Sequence, residues 1–400
     1  MNVLGMWMWP ESVRIRGAEK VIEVCARAKV TDIYFLTKGL GGTTAYPGKF
    51  APFDEERDLL RELLDAAHAK GIRIHAWFTS GNDERYKQIH PESGRYHFKN
   101  GRDKGLISLA DEGYLAYMKD ITVELCSNYD IDGLHLDYIR YNHLVYGWSD
   151  EDLSRYAAEG ADTERLRSMM QRMFYAETRE ETLLFDAYNE GDESALALAR
   201  ARRKDVVRFA ETLCSAARSV KKDIILSAAL MPEGAYDNIA FSDLHYGQNY
   251  EDASKLYDYA LPMAYSKAYD KDSLWVRMAA EGTLRRGMKT IVGLHAYDGG
   301  TGPSLQKDIA ILEGSGVEGV CLFREGATAM AFASGNSLSL YNALKVNIDR
   351  TTALNGEDTY SITETILHGE EKTFPLPFRC ESLRIFSGDE ELCVYLTNED

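Results

Sequence analysis

A strand-like run followed by a helix-like run recurs eight times along this chain, and that repetition limits the fold more than any other feature of the sequence. The strand candidates are VLGMWMW at 3 to 9, DIYFLTK at 32 to 38, IRIHAWF at 72 to 78, IDGLHLD at 131 to 137, IILSAAL at 224 to 230, YALPMAY at 259 to 265, TIVGLHAY at 290 to 297 and GVCLFRE at 319 to 325. Amphipathic stretches lie between them. In DEERDLLRELLDAAHAKG, Asp54 stands where a cap is wanted, and Leu59, Leu60, Leu63, Leu64 and Ala67 form one apolar stripe. Gly71 then ends the helix in the left-handed conformation that glycine adopts cheaply. GYLAYMKDITVELCSNYD repeats the pattern with Leu115, Met118, Ile121 and Leu125. Alternation of this kind predicts parallel strands, and eight of them close into a (β/α)8 TIM barrel. A doubly wound open sheet is the rival, but it wants a glycine-rich turn after its first strand, and the segment there is MWPES.

Two connections exceed ordinary barrel loops: about 50 residues between the third and fourth strands, and about 85 between the fourth and fifth. The second is charged and helical in pattern, so a helical insertion over the barrel mouth is expected between strands 4 and 5. SLSLYNALKVNI, at 337 to 348, is expected as the closing helix. Beyond it TYSITETIL, SLRIFSG and ELCVYLT read as strands. The expected division is a barrel catalytic domain over 1–350 and a small β-rich C-terminal segment over 351–400.

A formal net charge of −17 repels phosphate polymers and anionic lipid surfaces, so no nucleic-acid partner and no membrane partner is expected. A neutral or cationic substrate suits that total better. No run approaches the roughly 18 apolar residues of a membrane span, and MNVLGMWMWPES lacks the basic stretch, apolar core and small-residue site of an export signal. The chain as given is therefore expected in the cytoplasm, with a place outside it if an export signal was trimmed. Its 6 cysteines lack CxxC pairing, and Cys25, Cys126, Cys214 and Cys321 sit in apolar patterns, as buried free thiols do.

Barrel enzymes react at the C-terminal ends of their strands, and alternation tells which residues face inward there. In IDGLHLD, Leu134 and Leu136 turn toward the helices while Gly133, His135 and Asp137 turn into the barrel. In IRIHAWF, Arg73, His75 and Trp77 point inward together. His75 and His135 are expected in similar layers, either touching substrate or orienting their neighbours, with Trp77 and Asp137 near the mouth. The other strand ends contribute Trp7, Trp9, Lys38, Glu233, Tyr265, His295, Tyr297, Asp298 and Glu325. Such a mouth is aromatic and rich in carboxylates. Aromatic faces suit sugar rings, and two carboxylates across a glycosidic bond are the usual equipment for breaking it. One holds a proton for the leaving oxygen, and the other is ionised.

These residues also carry a family likeness. IDGLHLDYIRY, preceded by KGIRIHAWF and LISLADEGYLAYMKDITVEL, resembles the glycoside-hydrolase-like family 10 barrels, a domain of unknown function. GGTTAYPGKFAPFDEERDLL after the second strand, ARARRKDVVRF before the fifth and PMAY at 262 to 265 follow in the same order. The likeness spans about residues 1 to 345. It implies hydrolysis of a bacterial cell-wall or exopolysaccharide glycan, with Asp137 as the principal catalytic carboxylate. Compared with family 18 chitinases, Ile139 stands at the position of the catalytic glutamate, so that mechanism does not carry over. The spacing of Asp137 and Arg140 resembles the nucleophile motif of α-amylase-type barrels, whose acid/base follows the fifth strand; here that is Glu233, with Asp298 and Glu325 as alternates.

The expected activity is therefore a glycoside hydrolase acting on a carbohydrate substrate, with no cofactor and no metal, and with an oligomeric state that the sequence leaves open. Asp137 and Glu233 are the catalytic candidates, while Trp7, Trp9, Lys38, His75, Trp77, His135, Arg140, Tyr265, His295 and Tyr297 are the substrate-binding ones. Three alternatives stay open: an inactive glycan-binding barrel, a metal-dependent hydrolase using His75, His135, Asp137 and His295, and an aldolase or isomerase with Lys38 as Schiff base.

Overall fold

The computed structural model describes residues 1–295 and 302–325, and the backbone of strands lying between 337 and 396. Eight parallel strands form one sheet. In chain order they are β1 (Val3–Met8), β2 (Asp32–Lys38), β3 (Arg73–Thr79), β4 (Gly133–Asp137), β5 (Ile225–Leu230), β6 (Tyr259–Pro262), β7 (Ile291–His295) and β8 (Gly319–Phe323). Each pairs with the next from β1 to β6 and from β7 to β8, and β8 pairs back onto β1. The bridges Ala260↔Thr290 and Met263↔Gly293 join β6 to β7, so the ring closes as a (β/α)8 barrel.

Local sequence accounts for most of the elements. The helix Leu59–His68 buries the expected stripe of Leu59, Leu60, Leu63, Leu64 and Ala67, and Gly71 follows it at φ 70°. Its cap differs from expectation. Asp58, adjacent to the first turn, accepts from the Arg61 N–H, while Asp54 lies four residues further out and pairs with Arg85. The period-two patterning of the strands separates two cores. Ile74, Ala76, Phe78, Leu134 and Leu136 pack outward against Leu115, Met118, Ile121 and Leu125 of the helix Glu112–Asn128. Val3, Trp7, Tyr34, Trp77, Leu261 and Cys321 fill the barrel interior.

The fourth connection carries the helices Asp150–Ala158, Thr163–Phe174 and Leu183–Asn189 and then the 28-residue helix Glu193–Val220. The insertion has its own core, in which Leu166, Met170, Leu184 and Leu198 are 0% exposed. One long helix serves both layers: Ala195 and Leu198 pack in the insertion, Phe209 and Leu213 against the barrel. Among the described residues, no helix is long and apolar enough to cross a membrane.

Two further features differ from expectation. The segment expected as a closing helix is extended, as strands Ser337–Tyr341 and Lys345–Leu354, because Leu338 and Leu340 alternate with serines at the period of a strand rather than of a helix. Ser337–Tyr341 pairs with Glu371–Pro375, and Lys345–Leu354 lies between Gly356–Thr365 and Ser382–Ser387 in an antiparallel sheet completed by Glu390–Leu396. Second, His75 and His135 do not share a layer. Register sets His75 opposite Gly133 and Trp77 opposite His135. The absence of a side chain at Gly133 is what admits the imidazole, since a Cβ there would lie 2.0 Å from His75 Nδ1.

Candidate active site

The motif that ends β4 builds one wall of a cavity at the C-terminal mouth of the barrel. Asp137 is 6% exposed. Its Oδ2 accepts from the Trp77 indole N–H at 3.2 Å and its Oδ1 from the Tyr138 N–H at 2.6 Å, with Arg140 Nη1 4.0 Å away. Tyr138 has φ 54°, a left-handed conformation that costs a tyrosine on the order of 1 kcal/mol, and it turns the chain abruptly out of the strand. The turn is braced from behind: Ser80 N–H donates to the Asp137 carbonyl at 2.7 Å, and Gly81 packs so closely that a Cβ would meet the Tyr138 carbonyl oxygen at 2.2 Å. Burial pushes the Asp137 carboxyl above the ordinary aspartate range, opposed in turn by the Arg140 charge, the Tyr138 N–H and the Trp77 N–H.

The cavity encloses about 320 Å³ and opens onto the strand ends. Of the residues expected at the mouth, Trp7, Trp9, Trp77, Asp137, Arg140 and Tyr265 line it. Apolar side chains from three strands or their ends, Leu36, Met231 and Met263, make much of the remaining wall. A groove of about 870 Å³ also runs between the helices Ala18–Arg27 and Leu59–His68, but no barrel strand contributes to it.

Glu233 stands on the short turn Pro232–Ala235 after β5. The Tyr246 hydroxyl donates to its Oε1 at 3.5 Å, and Tyr269, on the cavity wall, hydrogen-bonds it as well. Tyr246 ends the five-residue π-helical turn Ser242–Tyr246, whose residues are all buried, a local widening of the helix that often marks functional sites. Burial raises the Glu233 carboxyl, against the tyrosine hydroxyls and Arg140. Arg140 therefore acts on both Asp137 and Glu233.

Other candidates stand elsewhere. Lys38 is 0% exposed and its Nζ lies 2.8 Å from Asp83 Oδ2, because a bulge between Leu36 and Lys38 in the pairing with β3 interrupts the alternation that would aim it inward. Burial depresses the lysine, with Asp83 opposing. His75 lies a layer below the mouth, with its Nε2 2.8 Å from Asp32, and stacks on Tyr34. Burial would raise the Asp32 carboxyl, but hydrogen bonds from His75, Arg73 and Thr31 prevail and hold it at about 2. His135 Nε2 accepts from the Trp7 indole at 3.2 Å, so its Nδ1–H is the donor to Ser227 at 2.9 Å. Burial, helped by His75, keeps this imidazole well below its ordinary value and hence neutral. Both histidines are layer residues that order their neighbours.

His295 stacks on Tyr265 at 4.8 Å and on Phe323. Glu325 is 7% exposed, and its two oxygens accept from Ser12 and from Arg16, each at 2.5 Å, on the helix Pro10–Arg16. Tyr297 and Asp298 lie outside the described residues. Among the described residues, no three His, Cys, Asp or Glu side chains gather as a metal site requires. Cys25, Cys126, Cys214 and Cys321 are buried and unpaired with one another.

Tyr138, Tyr246, Tyr269 and the two methionines escaped the sequence reading. Tyr138 adjoins the motif and could have been found by its position after Asp137. Met231 and Met263 stand just past the ends of β5 and β6, Tyr246 ends a π-helical turn and Tyr269 lies in a connection, so strand alternation does not mark their direction.

No protein-family model matches the sequence, and no curated protein matches it. Solved structures match it in fold. The glycoside hydrolase domain of PgaB (BpsB) from Bordetella bronchiseptica superimposes with a TM-score of 0.65 at 14% identity, over 82% of this chain and 96% of that one. The catalytic domain of β-amylase from Paenibacillus polymyxa does so with a TM-score of 0.59 at 10% identity, over 81% and 92% of the two chains. A β-galactosidase from the psychrophilic Marinomonas ef1 gives 0.58 at 13% identity, over 80% of this chain and 54% of its own length. At these identities the likeness is one of fold, a TIM barrel shared with glycoside hydrolases.

Proposed function

We propose that the chain is a glycoside hydrolase in which Asp137 and Glu233 act together at the barrel mouth. The observation that carries this reading is the placement of Asp137: a buried carboxyl on an aromatic cavity wall, held by an indole N–H, a backbone N–H and a nearby guanidinium. Those donors and Arg140 favour an anion, so Asp137 serves as nucleophile or as the charge that stabilises an oxocarbenium-like centre. Glu233, raised by burial against the tyrosine hydroxyls that bond it, gives its proton to the leaving glycosidic oxygen and then takes one from the incoming water. Trp7, Trp9 and Trp77 supply the surfaces for the sugar rings.

Bacterial cell-wall or exopolysaccharide chains are the proposed substrates, in keeping with the resemblance to glycoside-hydrolase-like family 10. The barrel over 1–350 is the proposed catalytic unit, with 351–400 appended. Asp137→Asn tests the reading, with an expected loss of at least about 10²-fold in glycan cleavage by a folded protein; undiminished cleavage overturns it. One observation favours a second reading. Among the described residues Glu233 is not part of the cavity wall itself, as a glycan-binding barrel without catalysis would allow. Such a barrel binds oligosaccharide in its native form and in Asp137→Asn alike, and cleaves in neither.

A further inference from the structure

A buried guanidinium normally commits its N–H donors to carbonyls or carboxylates, because a donor left unmade inside a protein costs more than one at the surface. Arg202 spends both terminal nitrogens, Nη1 on Leu244 O at 2.9 Å and Nη2 on Leu144 O at 3.1 Å, and leaves its Nε without a partner. Arg140 and Arg95 each leave a terminal nitrogen without a partner. Arg140 lines the cavity with its side chain only 12% exposed, yet its Nη1 is buried without a hydrogen-bond partner, the Asp137 carboxylate being 4.0 Å away and out of reach. Arg95, on the hairpin strand Gly94–His97, is 1% exposed. Its Nη1 donates to Asn142 at 2.9 Å, while Nε and Nη2 are buried without partners. Arg95 and Arg202 stand over the ring of Tyr141, at 5.0 and 4.5 Å. Burial first, with Arg202 and Arg140 adding to it, brings the Arg95 guanidinium down to about 10.

We propose that Arg140 anchors a carboxylate carried by the sugar in the cleft, so that the substrate is an acidic glycan containing uronic acid residues. Three observations carry this. Arg140 lines the cavity wall, its guanidinium 4.6 Å from the centre of the Tyr138 ring, and keeps one donor unspent. The positive charge of Arg95 lies within electrostatic reach of it, in a chain whose total of −17 would otherwise disfavour any anion. The cleft's own carboxyls do not neutralise it together, because the proposed chemistry requires one of them to hold a proton. A planar guanidinium matches a planar carboxylate in bidentate fashion, which an unsubstituted hydroxyl cannot reproduce. The identification of the ligand as a sugar rests on the glycosidase reading; recognition of the anion does not.

The test uses the full chain and needs no catalysis. Glucuronic and galacturonic acids, their methyl esters, glucose and galactose are titrated by calorimetry or saturation-transfer NMR at low salt. The acids are expected to bind at least about 10-fold more tightly than the esters and neutral sugars, as one charge-assisted contact would give. Arg140→Gln, checked for fold by circular dichroism, is expected to lose that preference. Equal binding of acid and ester by the native chain, no detectable binding of any acid, stronger binding of sugar sulfates or phosphates, or an undiminished preference in Arg140→Gln would each overturn the inference. Acid preference without cleavage of any glycan sinks the hydrolase reading and keeps the anion site; cleavage of neutral glycans without acid preference does the reverse.

Discussion

The indole Nε1–H of Trp77 donates to Oδ2 of Asp137 across 3.2 Å, linking the mouth ends of β3 and β4. The contact unites a proposed substrate surface with a candidate catalytic charge. Trp77→Phe keeps an aromatic ring and removes the donor. Because that hydrogen bond favours the ionised carboxyl, its loss lets burial push Asp137 further up. The acidic limb of the pH profile of kcat/KM is expected to move to higher pH, by about half a unit to one unit. A limb that stays in place while activity falls would assign Trp77 to sugar stacking alone.

Glu233 and Glu325 are separated by what they touch. Glu325 is committed to Arg16 and Ser12 in a pair with both side chains under one tenth exposed. Glu325→Gln is expected to cost about 3 kcal/mol of stability in urea unfolding, since it takes from the buried Arg16 side chain the carboxylate charge that Glu325 supplies, and to leave the turnover of the folded fraction intact. Glu233→Gln is expected to do the opposite, with at least about 10²-fold loss of turnover and little change in unfolding. Reversed outcomes would move the second carboxylate to Glu325.

Gly133 is expected to tolerate no side chain. Its Cβ would meet His75 Nδ1 at 2.0 Å, on a ring held from the other side by Asp32 and stacked on Tyr34. Gly133→Ala therefore displaces the imidazole and breaks its bond to Asp32, at an expected cost of about 2 to 3 kcal/mol. A neutral result in urea unfolding would mean that the barrel interior relaxes more easily than its packing implies.

Stability should fall in mild acid on account of His135. Its folded value lies well below the unfolded one of about 6.5, so above that pH both states are neutral and the group contributes no slope. Below it the unfolded chain takes up a proton that the folded chain refuses, and stability is lost as pH falls. From pH 7.5 to 5.5 this amounts to about 1.4 kcal/mol. His245, which burial holds down to about 2, adds a loss of the same sign. Unfolding free energies of His135→Gln should fall by about 1.4 kcal/mol less than those of the native chain across that interval. Equal losses in both would show that His135 accepts a proton while folded.

The barrel was legible because its signals are local. Alternation follows from strand dihedrals, so the inward set of Trp77, His135 and Asp137 and the outward set of Ile74, Leu134 and Leu136 could be assigned from the residues themselves. Where local geometry breaks, the same reasoning fails. A bulge after Leu36 takes Lys38 from the expected mouth to a buried pair with Asp83. Strand register cannot be read from one strand: alternation alone sets His75 and His135 in one layer, whereas pairing puts His75 opposite Gly133.

By itself, then, the sequence of IDGLHLDYIRYN and its seven companion segments determined the barrel, the inward aim of Asp137 and the aromatic character of the mouth. Only the tertiary structure decided how the charges are spent. It committed Glu325 to Arg16 and Lys38 to Asp83, and left Arg140 within electrostatic reach of both Asp137 and Glu233. The physical reason is range. Alternation is a property of neighbouring residues, whereas a charge is satisfied by whatever the closed ring brings within a few ångströms, and Glu325 meets Arg16 across 309 residues of chain.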